Sequence, residues 1–241
     1  ILAHLNLTDR FLEVFDCNDP GCVTGTNRVL DATTGYWGFD TSTVIRSDGR
    51  PIIAYWHSDS QDLRVYDCGD SACSTGTVRT LDSFEQTGYA PSIVIGEDAA
   101  PLISYGKADA SIVRLYDCLD TGCAGGSIRD LRANSDALPT FAMALQPGSG
   151  NPWILIERRD INALSLIRCT SYNCSTTTES ILYQASGDLI SASIDVLPDG
   201  SPFIAFTEAR PFGQYQLGLL YCTTSACSQT SSTFYDIGNT G

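Results

Sequence analysis

The chain has 241 residues, 43% of them apolar, with 28 acidic against 14 basic side chains and a net charge of −14. That length and apolar share suffice for a substantial hydrophobic core, whereas a strongly negative surface repels phosphates and excludes nucleic acid as a partner. No apolar run approaches the roughly 20 residues that a membrane span needs, so a soluble chain without a membrane span is expected.

Ten cysteines fall in five pairs of one spacing, Cys17/Cys22, Cys68/Cys73, Cys118/Cys123, Cys169/Cys174 and Cys222/Cys227, whose first members lie 51, 50, 51 and 53 residues apart. A fixed period of that size means one supersecondary unit copied along the chain. Ile1 stands where later copies carry an opening proline, and Asp9 follows eight residues on, so the chain enters the repeat at its second segment. The second copy supplies the pattern for the rest. Asp48-Gly49 suits a tight hairpin, Pro51 opens the run Ile52–Tyr55, and Leu63–Tyr66 and Thr77–Leu81 complete it. The third copy repeats this with Ser92–Ile95, Pro101 and Cys118/Cys123. The fourth, opened by Pro152, and the fifth, opened by Pro202, keep the apolar pattern and cysteines but lose most of the acidic positions. In the fifth, Ile190–Val196 alternates apolar and polar, the period-two signal of a strand.

Four short antiparallel strands per repeat of about fifty residues make the blade of an all-β β-propeller. Five blades are expected over residues 1–35, 36–88, 89–136, 137–187 and 188–241 of a single propeller domain, the first lacking its inner strand. Thr240-Gly241 matches Thr34-Gly35 and Thr87-Gly88, just before the first segment of a blade, so both termini flank the same missing strand. Three explanations stand side by side: further blades in a longer chain, loss by processing, or a strand added by a partner chain. The repeat, of the form DGxPxIxY…LxVxxCxDxxC, resembles secreted disulfide-containing β-propeller repeats and is loosely similar to five-bladed lectin propellers of the tachylectin type. The likeness spans the whole chain, is structural, and carries no catalytic residue across.

The even cysteine count, the turn-rich linkers such as Asn18–Gly21 and the absence of histidine partners favour one disulfide per blade, stapling the third strand to the fourth, over a metal site. Five disulfides imply an oxidising compartment, hence a secreted or cell-surface protein. The sequons at Asn6 and Asn173 mark glycosylation candidates in keeping with that.

Asp9, Asp59, Asp109 and Asp160 recur at the end of the second segment, where they bind calcium or sugar hydroxyls, or simply cap the turn. Paired carboxylates also flank the first cysteines, Asp16 and Asp19, Asp67 and Asp70, Asp117 and Asp120, as a weaker calcium candidate; turn chemistry accounts for the second of each pair. Trp56, His57 and Asp59, with Asp109 and Asp160, are the candidate ligand-binding set. Tyr36, Trp37, Tyr89 and Trp153 are further aromatics near loops, and packing between blades competes with ligand contact for all of them. The sialidase box S-x-D-x-G-x-x-W and the elbow G-x-S-x-G do not occur. An unusual charged cluster, Glu157, Arg158 and Arg159 with Glu208 and Arg210, is where an enzyme site would lie, with salt bridges between the fourth and fifth blades as its structural explanation. The expectation from sequence is therefore a non-enzymatic extracellular structural, adhesive or recognition module without a cofactor, assembling through its incomplete blade; a multivalent lectin and a glycan-processing enzyme are the alternatives.

Overall fold

A computed structural model describes residues 1–6, 8–9, 11–33, 41–107, 112–132, 140–224, 227 and 230–239. Among the described residues, nineteen strands form five antiparallel sheets, each joined in chain order. The first holds β1 (Leu2–Asn6), β2 (Phe11–Cys17) and β3 (Gly25–Asp31), and the second β4 (Thr41–Ile45), β5 (Pro51–His57), β6 (Asp62–Cys68) and β7 (Gly76–Asp82). The third holds β8 (Thr87–Ile95), β9 (Pro101–Lys107), β10 (Ile112–Cys118) and β11 (Gly126–Arg132). The fourth holds β12 (Thr140–Leu145), β13 (Pro152–Arg158), β14 (Ala163–Cys169) and β15 (Thr177–Gln184). The fifth holds β16 (Asp188–Val196), β17 (Pro202–Arg210), β18 (Gln214–Cys222) and β19 (Thr230–Asn239), with a short 3-10 turn at Pro211–Gly213. These are the blades of a β-propeller, and the first has three strands among the described residues.

Local chemistry explains the unit. Each opening proline is the first residue of its strand, where no ladder donor is required. The turns before β5 and β17 place Gly49 and Gly200 at φ of 81° and 82°, open to glycine without cost. The rings of Phe15, Tyr66 and Tyr116, two residues before the first cysteine, lie over Gly25, Gly76 and Gly126 of the following strand, where a Cβ would overlap them. The fourth and fifth blades change both members together: the ring becomes Ile167 or Leu220 and the glycine Thr177 or Thr230.

All five cysteine pairs form disulfides, Cys17–Cys22, Cys68–Cys73, Cys118–Cys123, Cys169–Cys174 and Cys222–Cys227, with Cα atoms 4.7 to 4.9 Å apart. The pairing is as expected, but the expected staple between the third and fourth strands is corrected. Cys17, Cys68, Cys118, Cys169 and Cys222 each end a strand, whereas Cys22, Cys73, Cys123, Cys174 and Cys227 lie in the turn before the next one. The N–H groups of these second cysteines donate to the carbonyls of Asp19, Asp70, Asp120, Ser171 and Thr224, three residues back. The second cysteine of each pair is held in the turn by its N–H bond three residues back and lies three residues before the next strand begins, so each bridge closes the turn upon the end of the strand that precedes it.

Cys22, Cys73, Cys123, Cys174 and Cys227 have φ between 48° and 55°, a left-handed conformation that non-glycine residues adopt at a cost. In the first three blades Asp19, Asp70 and Asp120 satisfy the turn by accepting backbone N–H groups four residues on, those of Val23, Ser74 and Ala124. A Cys68→Ser/Cys73→Ser variant is expected to lose about 2 kcal/mol of stability, from loop entropy alone, measurable in a urea melt; no loss would show that the turn holds itself.

The chain resolves into two compact units, residues 1–110 with 114–130, and residues 111–113 with 131–241. Within the first, a polar latch is used twice. Asp31, at the end of β3, accepts from the Tyr55 hydroxyl at 2.6 Å and lies 3.4 Å from Arg64. Asp82, at the end of β7, accepts from the Tyr105 hydroxyl at 2.7 Å and from Arg114 at 2.9 Å. Each latch joins one blade to the next. Arg46 adds a third tie, 2.7 Å from Asp67 and donating to the carbonyls of Cys68 and Thr121 at 3.0 Å.

In the second unit the latch turns apolar. Tyr183 takes the place of Asp82 and Phe206 that of Tyr105, their ring centroids 4.8 Å apart. Gly218 stands where Arg114 does, and Phe206 fills the space a side chain there would need. Trp153, Leu155, Leu164, Leu166, Ile204 and Phe206 centre this unit's core.

Candidate active site

Trp56 is 7% exposed, and its ring centroid lies 4.0 Å from that of Tyr89. His57 is buried too: its Nε2 is 3.2 Å from Thr33 Oγ1 and its Nδ1 accepts from the Ser60 N–H. Ser60 Oγ lies 2.6 Å from Nδ1 and hydrogen-bonds Asp62. Asp59 is exposed in the neighbouring turn. Asp160 pairs with Arg158, Nε to Oδ1 at 2.7 Å, which holds its carboxyl below the usual range. Asp9 meets Asn6 within its own turn. Asp109, Tyr36 and Trp37 lie outside the described residues, and Trp153 is a core side chain. The sequon residue Asn6 donates to Glu13 at 2.9 Å, while Asn173 is exposed at the tip of its disulfide turn. Among the described residues, no three of His, Cys, Asp and Glu gather as a metal ion would require.

The charged cluster of the fourth and fifth blades divides differently from a bridge between blades. Arg158 turns to Asp160 and Glu179, Arg159 to Glu157 at 3.2 Å, and Arg210 to Glu208 at 3.9 Å, each a partner of its own blade. The two glutamates then separate in role.

Glu157, at the end of β13, is 5% exposed and lines a cleft of about 490 Å³ with Arg159, Asn162, Asp188, Leu189 and Ile190. Burial raises its carboxyl above the usual glutamate range; Arg159 opposes that shift and the charge of Asp188 adds to it. Asp188, the first residue of β16, is exposed at the same cleft. Two carboxylates in contrasting environments thus share one opening, the arrangement by which burial separates an acid from a base. Replacing Asp188 with asparagine is expected to lower the Glu157 pKa, read from its carboxyl carbon in an NMR titration; an unmoved titration would place the Asp188 charge elsewhere.

Glu208 is fully buried. It accepts from the backbone N–H groups of Ser186 and Gly187, both at 2.6 Å, from the Ser186 hydroxyl at 2.8 Å and from the Tyr183 hydroxyl at 2.9 Å. Burial pushes its carboxyl up, but the bonds from Ser186, Tyr183 and Gly187 outweigh it and hold the group below the ordinary range. The turn it grips leads directly into Asp188. Gly187 fits there because a Cβ would collide with the carbonyl of Ala209. Asp188 and Asn162 escape a reading of the sequence: neither recurs in the repeat, and only the acidic residue at the head of a strand hints at the first.

No family model and no curated protein matches the sequence. Solved structures do match in fold. A protein of unknown function from Dyadobacter fermentans aligns with a TM-score of 0.70 at 10% identity, over 96% of this chain and 73% of its own. An endo-1,4-β-xylanase from Bacteroides thetaiotaomicron aligns at 0.59 and 10% identity, over 97% and 89%. A thermostable family-43 glycoside hydrolase aligns at 0.58 and 11%, over 98% and 88%. The chain is a five-bladed β-propeller of the kind found in such hydrolases. These likenesses correct the expectation of a non-enzymatic structural or adhesive module: the propellers that this chain resembles in fold include glycan-cleaving enzymes. The periodic residues of the repeat are those that hold blades together, and a site used once leaves no periodic signal.

Proposed function

We propose that this protein is a glycan-processing hydrolase whose site is the cleft between Glu157 and Asp188. The observation that carries the reading is the pairing of a buried carboxyl with a raised pKa and an exposed carboxylate on one open cleft. Glycosidic cleavage needs a proton donor for the leaving oxygen and a second carboxylate as base or nucleophile. Glu157 is the donor and Asp188 the second group. Arg159, half exposed and bonded to Glu157, orients the donor. Leu189 and Ile190 give the cleft an apolar wall on which the C–H face of a sugar rests. The fold shared with named glycoside hydrolases supports the same reading. Five disulfides in a chain whose described residues include no helix long and apolar enough to cross a membrane fit a site of action outside the cell.

The test is hydrolysis of a panel of aryl glycosides and plant and bacterial polysaccharides by the intact chain. Cleavage that disappears in both Glu157→Gln and Asp188→Asn supports the assignment. Cleavage that survives in both places the chemistry elsewhere, and no cleavage of any substrate removes the enzymatic reading.

A further inference from the structure

The residue that opens the hairpin before the second strand differs from blade to blade, Arg46, Gly96, Gln146 and Leu197, and the second and fourth blades contrast in charge. In the second blade Arg46, 5% exposed, reaches from the β4–β5 hairpin to the carboxylate of Asp67 at 2.7 Å and the carbonyl of Cys68 at 3.0 Å. The hairpin closes with Arg46 N–H donating to Arg50 O at 3.0 Å. In the fourth blade the corresponding bond runs from Gln146 to Asn151 at 2.9 Å, so Gln146 stands at the place of Arg46. Counting back from the disulfide, Arg168 before Cys169 stands at the place of Asp67 before Cys68. The long cation has become a shorter amide, and the carboxylate has become a guanidinium.

The consequence is a cavity of about 210 Å³ lined by Gln146, Asn151, Trp153, Arg168, Thr170 and Thr178. At about 30 Å³ per water it has the volume of about seven waters, the scale of one sugar ring. Trp153, Arg168 and Thr178 are register partners across β13, β14 and β15, so their side chains leave the sheet on one face. Arg168 is half-buried and donates to the Ser180 hydroxyl at 3.3 Å. The lining offers a guanidinium, two amides and two hydroxyls, and no carboxylate. In a chain with a net charge of −14 this is a local inversion.

From this exchange of residues we infer that the cavity binds the carboxylate of an acidic sugar. A guanidinium fork matches a carboxylate in two parallel hydrogen bonds, a geometry that an ammonium lacks. Gln146, Asn151, Thr170 and Thr178 supply donors and acceptors for ring hydroxyls. Only the fourth copy places an arginine there: Asp16, Asp67 and Asp117 hold the position of Arg168 in the first three and Tyr221 in the fifth. The cavity is separate from the Glu157 cleft and shares no lining residue with it.

The test is a titration of the chain carrying 15N-labelled tryptophan with glucuronate, glucose and acetate, following the indole signal of Trp153. Glucuronate is expected to bind in the millimolar range, and Arg168→Gln to weaken it at least tenfold. The double variant Gln146→Arg/Arg168→Asp rebuilds the pair that the second blade already uses and is expected to abolish binding with its melting temperature retained. Glucose or acetate binding as tightly as glucuronate would overturn the inference, as would no binding or undiminished binding in Arg168→Gln. Should the double variant fail to fold, the single variant decides. Glu157→Gln leaves the titration unchanged, so this result stands apart from the outcome at the cleft.

Discussion

Glu157→Gln is expected to lower the rate of glycoside cleavage by about 10²–10⁴-fold, the usual contribution of a positioned general acid, without loss of stability at neutral pH. The two effects share one cause. Burial raises the folded-state pKa of Glu157, so the native protein holds this proton to higher pH than the unfolded chain does. The stability linked to it is complete below the ordinary glutamate pKa and is lost as pH climbs through the raised value. The donor form disappears over the same window, so kcat/KM falls on its alkaline side as pH rises through that pKa. Glutamine keeps the shape, removes the titration and relieves the buried carboxylate that neutral pH imposes. A pH–rate profile of the wild type and parallel melts of both proteins check this; a variant that retains its rate, or one much less stable at pH 7, contradicts the assigned role.

Asp82→Ala is expected to be the most damaging polar substitution in the first unit. Asp82 is buried and accepts from the Tyr105 hydroxyl and from Arg114, both themselves largely buried. Removing it strands a phenol and a guanidinium away from water, a loss of about 3–5 kcal/mol when one partner of a buried pair is deleted. At about 2–4 °C per kcal/mol for a chain of this size, the melting temperature falls by roughly 10 °C. The desolvated Tyr105 hydroxyl, whose pKa burial and Asp82 both raise, cannot ionise to compensate. Calorimetry measures the effect directly. A shift below about 2 °C would mean that water or Asp130, 2.7 Å from Arg114, takes over the role.

These latches were written in the sequence and are easily overlooked there. Asp31 and Asp82, Tyr55 and Tyr105, Arg64 and Arg114 each recur at one repeat spacing, but they are separated within the repeat, and adjacency gives no clue that they meet. The cysteine-flanking aspartates divided as turn chemistry requires, since Asp19, Asp70 and Asp120 bond their own turns. The first of each pair serves differently: Asp16 and Asp67 lie 3.1 and 3.5 Å from Arg28 and Arg79. Trp56 and His57 stood out for their chemistry, but every residue of β5 is buried, Trp56 stacking near Tyr89 and His57 bonding Thr33 and Ser60.

The sequence by itself determined the five-blade plan, the cysteine pairing and the strand order, because each depends on contacts within one repeat of about fifty residues, and repetition reveals such contacts. Only the tertiary structure decided the rest. Glu157 and Asp188 become a pair because the end of β13 and the start of β16, on successive blades, open onto one cleft, and because the first is buried there and the second exposed. Gln146 and Arg168, far apart in the chain, line one cavity, where in the second blade Arg46 and Asp67 pair at 2.7 Å. Burial and empty volume arise from the packing of many side chains at once, and no local pattern of residues encodes them.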